Sequence, residues 1–156
     1  NFFSFLVLKL PVIKPIAVKI NLAQIARTLS ALMTTDMPIV ESLKLVSQTT
    51  ANTLYRDSLL ALSANVEKGK TISSEMANWK KLYPPVVQQM TAVGEETGEI
   101  SKILSQLATF YEDEVSQTMD SLPSIIEPIL IVLLGGAVGG MAVAIILPMF
   151  TLTQSV

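Results

Sequence analysis

Apolar residues in this chain recur three and four apart over most of its length, and near the C-terminus they stop alternating with polar ones altogether. The first pattern is that of amphipathic helices. The second runs from Ile129 to Leu147, ILIVLLGGAVGGMAVAIIL, nineteen residues without a charge or a strong polar group. At about 1.5 Å per residue it reaches ~28 Å, close to the ~30 Å hydrocarbon thickness of a bilayer. Core helices seldom stay apolar on all sides for so long, so the stretch is expected to cross a membrane.

Upstream, six amphipathic helices are predicted. The first runs from about Ile20 to Thr34, with Leu22, Ile25, Ala26, Leu29, Leu32 and Met33 on one stripe and Gln24, Arg27, Thr28 and Ser30 off it. Thr35, Asp36 and Pro38 supply turn and helix-start chemistry, and a second helix follows to Thr49 with Ile39, Leu43 and Val46 inward. A third begins at Asn52, a good N-cap, carries Tyr55, Leu59, Leu62 and Val66, and ends at Lys68 and Gly69. A short fourth spans Ile72 to Trp79 behind a Thr71 cap, with Ile72, Met76 and Trp79 on one side; Trp79 and Tyr83 read as core or corner packing.

Pro84-Pro85 opens a fifth helix with Val86, Met90 and Val93 facing in, broken at Gly98 of GEETG. A sixth, from Glu99 to Leu122, bears Ile100, Ile103, Leu104, Leu107, Phe110, Tyr111, Val115, Met119 and Leu122. Pro123 and Pro128 mark a junction before the apolar stretch. No segment alternates with period two, so no strands are expected. The fold expected is all-α: an antiparallel six-helix bundle followed by one C-terminal transmembrane helix. Residues 1–18 form a membrane-proximal lead-in, where Pro11 and Pro15 argue against regular helix. Residues 19–122 form the bundle, 123–150 the membrane helix and 151–156 a short tail beyond it.

Composition narrows the chemistry. The 156 residues contain no cysteine and no histidine. That removes thiolate metal sites, disulfides and the usual general base. A net charge of −2 gives no reason to expect nucleic acid. All eleven Lys and Arg lie at or before Lys102, while eight acids fall between Glu95 and Glu127. By the positive-inside tendency the basic N-terminal part faces the cytoplasm and the tail faces out. The chain opens on Asn-Phe-Phe rather than Met, as expected of a piece of a longer protein, and its start lacks the n-region and cleavage site of a signal peptide.

Three features could carry function. Glu95, Glu96 and Glu99 could dock a basic partner, ligate a hard cation, or simply solvate a helix end. Gly135, Gly136, Gly139 and Gly140, extended by Ala144, make overlapping small-xxx-small patterns. These suit close helix packing in lipid, although glycine is also common in membrane helices generally. Glu127 lies at the membrane boundary, either hydrated among head groups or in polar contact with a partner's membrane segment. No nucleophile, cofactor fingerprint or phosphate loop accompanies these acids, so neither enzyme activity nor a cofactor is expected.

The motifs RTLSALMTTDMPIVESLKL, EKGKTISSEM, YPPVVQQMTAVGEETGEISKILSQLATFYEDEV and EPILIVLLGGAVGGMAVAIILPMF occur in this order. Together they resemble the second domain of the inner-membrane platform protein of type II secretion systems and type IV pili, over about Leu8 to Phe150. The chain departs from that pattern at Asp36 and Lys14, where glycine is usual. The resemblance implies a parent chain with two related cytoplasmic bundles and about three spans, and no catalytic activity. It implies partners too: a cytoplasmic assembly ATPase, pilin or pseudopilin subunits, other inner-membrane assembly proteins, further copies of the chain, and membrane lipid. Two other classes stay open. One is a membrane-anchored helical signalling or regulatory bundle; the other is a membrane-bound enzyme using carboxylates and a metal.

Overall fold

The computed structural model describes residues 13–153, and among these no residue lies in a strand. Six α-helices follow one another: α1 (Ile13–Met33), α2 (Ile39–Thr49), α3 (Thr53–Glu67), α4 (Ile72–Met76), α5 (Pro85–Thr97) and α6 (Ile100–Thr153). A 3₁₀ turn, Ala77–Trp79, follows α4. The chain divides into two compact units, one ending at Ser116 and one beginning at Gln117.

Helix starts and stops follow the local chemistry. The Asn52 side chain accepts from the Leu54 and Tyr55 amides, and the Thr71 hydroxyl accepts from the Ser74 amide. Gly69, one residue past the Lys68 cap of α3, and Gly98, directly after α5, take positive φ, 95° and 72°, as helix-ending glycines do. Asp36 also takes positive φ, 62°, in the turn between α1 and α2. Its short polar side chain tolerates that left-handed region.

In the first unit one core gathers residues from all six helices. Leu22, Ile25 and Leu29 of α1 and Leu43 and Val46 of α2 meet Tyr55, Leu59 and Leu62 of α3. Ile72, Met76, Tyr83, Val87, Leu104, Leu107 and Tyr111 complete it. Tyr55 and Tyr83 pack edge to face, ring centres 5.8 Å apart. The Tyr55 hydroxyl donates to the Leu82 carbonyl at 2.8 Å, and the Ser58 and Tyr83 hydroxyls are paired at 2.7 Å. Burial raises both phenols, Tyr83 to about 12 and Tyr55 further. Both therefore stay neutral and available as donors.

Several sequence expectations change. α1 begins at Ile13, with Pro15 in its first turn, where an amide has no intrahelical partner to lose. The fourth helix gives way to the 3₁₀ turn after Met76, so Trp79 lies in that turn. Ser30, expected off the buried stripe, is 6% exposed; its hydroxyl donates to the Ser101 carbonyl, and Ser101 donates back to the Ser30 carbonyl. α5 is rotated by one residue: Val87, Thr91 and Gly94 are buried, whereas Val86 and Val93 are exposed and Met90 is half-buried. Phe110 and Met119 are likewise exposed.

In the second unit α6 continues to Thr153, carrying Pro123, Pro128 and Pro148 inside it, rather than breaking at the expected junction. Each proline removes one intrahelical bond and favours a local bend without having to end a helix this long. The apolar stretch within α6 is long and apolar enough to cross a membrane, and none of it is buried within the protein.

Candidate functional site

The acidic corner is built where α5 meets the start of α6. At Gly94 a Cβ would come within 3.1 Å of the Ile100 Cα and of the Ile100 and Ile103 side chains. The missing side chain is what lets the two helices approach. Gly98 then turns the chain between them.

The three acids placed here have different environments. The Glu95 carboxylate accepts from the Ile72 amide, from the Ser73 amide at 3.1 Å and from the Ser73 hydroxyl at 2.7 Å. It satisfies the orphan amides at the start of α4 from a neighbouring helix. Glu96 is exposed, and Glu99 is exposed with its carboxylate 3.6 Å from the Lys102 ammonium, one turn along α6. The corner thus brings Glu96 and Glu99 to solvent and commits Glu95 to holding α4. Among the described residues no group of three Asp, Glu, His or Cys side chains is arranged to hold a metal ion.

Two further polar clusters escaped sequence reasoning. Glu75 is almost fully buried and accepts from Asn65 at 2.7 Å, Lys70 at 3.0 Å and Asn78 at 3.3 Å. The hydrogen bond from Lys70 leads the effects that hold its carboxyl below the usual range. Arg27 spans from α1 to α6. Its Nε and Nη2 grip the two Glu112 oxygens at 3.0 and 2.9 Å, and Thr109 and Ser105 accept at 3.1 and 3.3 Å. Lys19 and Glu114, 2.8 Å apart, repeat the α1–α6 link. The only sequence signal for these was charge of opposite sign on two stripes far apart in the chain, which spacing alone does not pair.

In the second unit Gly135, Gly136, Gly139 and Gly140 have open space where a Cβ would stand. Ala144 lies one turn beyond Gly140 and is exposed, as is Glu127.

A helical core joined in sequence to an apolar helix of membrane-crossing length defines a membrane-associated helical protein. Residues 25–148 match the family model described as Type II secretion system (T2SS), protein F, and the chain belongs to that family. It is 35% identical over 156 residues to the type IV pilus assembly protein PilC of Myxococcus xanthus, covering all of this chain and 37% of that protein. It is 39% identical over 146 residues to TapC, a type IV pilus assembly protein of Aeromonas hydrophila, covering 94% and 35%. With the type II secretion system protein F of Vibrio cholerae it shares 30% over 148 residues, covering 95% and 36%. The chain spans a little over a third of the length of these relatives.

Proposed function

We propose that this chain is a C-terminal part of a non-enzymatic inner-membrane platform protein that assembles fibres of pilin-like subunits. The observation that carries this reading is that the family match runs through both units, from residue 25 in α1 to residue 148 in α6. The pilus relatives, 34% to 39% identical against 26% to 30% for the secretion ones, favour a type IV pilus over a pseudopilus. In this reading the helices of the first unit form an antiparallel cytoplasmic bundle, the apolar part of α6 crosses the inner membrane, and the C-terminus lies outside.

The bundle acts as a handle moved by a cytoplasmic assembly ATPase, with Glu96 and Glu99 as contacts for other cytoplasmic components. Glu95 supports that corner from within. The proline-marked segment at 122–128 passes the motion on. The face of Gly135, Gly136, Gly139, Gly140 and Ala144 packs against other copies or pilin membrane segments, and Glu127 meets a cation at the membrane boundary. Purification of the tagged parent protein from its own cells in gentle detergent tests the reading. Recovery with an assembly ATPase and pilin-like subunits supports it. A well-solubilised protein recovered with neither, across several detergents, overturns it.

A further inference from the structure

Beside the core lies an open groove of about 440 Å³, lined by Leu54 of α3 and by Ala77, Asn78, Trp79, Lys80, Lys81 and Leu82. Its shape is fixed from below. The Leu82 and Tyr83 amides both donate to the Trp79 carbonyl, at 2.8 and 3.0 Å, and the Leu82 carbonyl is held by the buried Tyr55 hydroxyl. Its upper surface is mixed. Leu54 is 58% exposed, Trp79 is half-buried, and Lys80 and Lys81 are exposed. Among the described residues no ion pair engages either ammonium, nor Lys14, Arg56 or Lys68, whereas Lys19, Arg27, Lys44, Lys70 and Lys102 each have a carboxylate partner.

We propose that the groove formed by Leu54, Trp79, Lys80 and Lys81 docks onto the anionic phospholipid head groups of a bilayer. An indole and a leucine beside two free ammoniums match the interfacial layer, where an amphipathic ring lies at head-group depth and lysines reach lipid phosphates. Charge complementarity selects the anionic lipid. Each lysine near such a surface contributes roughly a fivefold preference, so two give about 25-fold. That would be weak for a free protein. Here the same chain carries an apolar helix of membrane-crossing length, which raises the local concentration of lipid around it. The inference rests on that membrane reading of α6.

Trp79 is the only tryptophan in the sequence and reports on the groove directly. The full chain is reconstituted in nanodiscs of zwitterionic lipid with or without phosphatidylglycerol, with a brominated analogue as quencher, and insertion is checked by resistance to alkaline extraction. Expected are quenching of Trp79 in the anionic discs, its loss in the zwitterionic discs, and its loss in the Lys80→Glu/Lys81→Glu variant at unchanged helix content. A milder Lys80→Gln/Lys81→Gln variant should fall between.

An extraction-resistant chain whose Trp79 is unquenched overturns the docking and leaves the span intact. Quenching that ignores lipid charge and both variants overturns the head-group assignment. An emission shift that follows the number of copies per disc, without quenching, overturns it in favour of a protein interface. A chain that is extracted overturns the span and the docking together.

Discussion

Asp36 holds a backbone conformation that residues with a Cβ adopt reluctantly, at a cost of roughly 1–2 kcal/mol. Asp36→Gly is therefore expected to raise stability by up to ~1 kcal/mol, and Asp36→Val to lower it by at least as much. Thermal melts followed by circular dichroism in one detergent would check this; equal melting temperatures for all three would remove the strain argument. Glu75 makes a pH prediction. Its carboxyl is held below the usual value, so the unfolded chain binds that proton more readily than the folded one. The stabilisation is present above the ordinary glutamate range near pH ~4.3 and fades as pH falls through the lower folded value. The melting-temperature gap between the parent chain and Glu75→Gln should be widest above that range and shrink below it. A gap constant from acid to neutral pH would show that shape, not charge, holds the network.

At the scale of elements, what was legible depended on how many faces a helix offers. Asn52, Thr71, Gly69 and Gly98 were readable because caps and positive-φ turns are local chemistry. α5 was not, because Val86–Met90–Val93 and Val87–Thr91–Gly94 have the same spacing, and hydrophobicity favours the first. The close approach at Gly94 decides for the second, and that depends on a neighbouring helix. Buried serines escaped for a related reason. Ser47, Ser58 and Ser63 are almost inaccessible, and their hydroxyls donate to the Lys44, Tyr55 and Val40 carbonyls at 2.6, 2.8 and 3.2 Å. A hydroxyl that bonds to a carbonyl is compatible with burial, which a hydrophobic stripe does not count.

The acidic corner separates by element too. Glu95→Ala should destabilise the first unit by ~1–2 kcal/mol through the orphaned start of α4. Glu96→Lys should leave the melt unchanged and reduce fibre output in cells. Unimpaired fibres from Glu96→Lys paired with Glu99→Lys would remove the docking role.

For the whole molecule, the membrane-length stretch was legible at once, because no packing is needed to see nineteen apolar residues in a row. The continuity of α6 was not, since proline is a reliable break only in short helices bathed in water. Gly136→Leu with Gly140→Leu would fill space that is open in this chain alone. If that face packs against another helix, the variant should shift oligomer size in detergent while leaving the first unit's melt unchanged. The same size distribution for both proteins would reject the packing face.

The bonds between α1 and α6 also order events in time. Their partners lie 71 to 95 residues apart in the chain. At ~5–20 residues per second of synthesis, Leu22, Ile25 and Leu29 wait about 4 to 19 s for the helix that helps to bury them. By then the apolar stretch is following close behind in the ribosome. Closure of the core and delivery to the membrane thus fall in the same short interval. A nascent chain stalled before α6 should be held by chaperones, and one stalled a few turns later should release them.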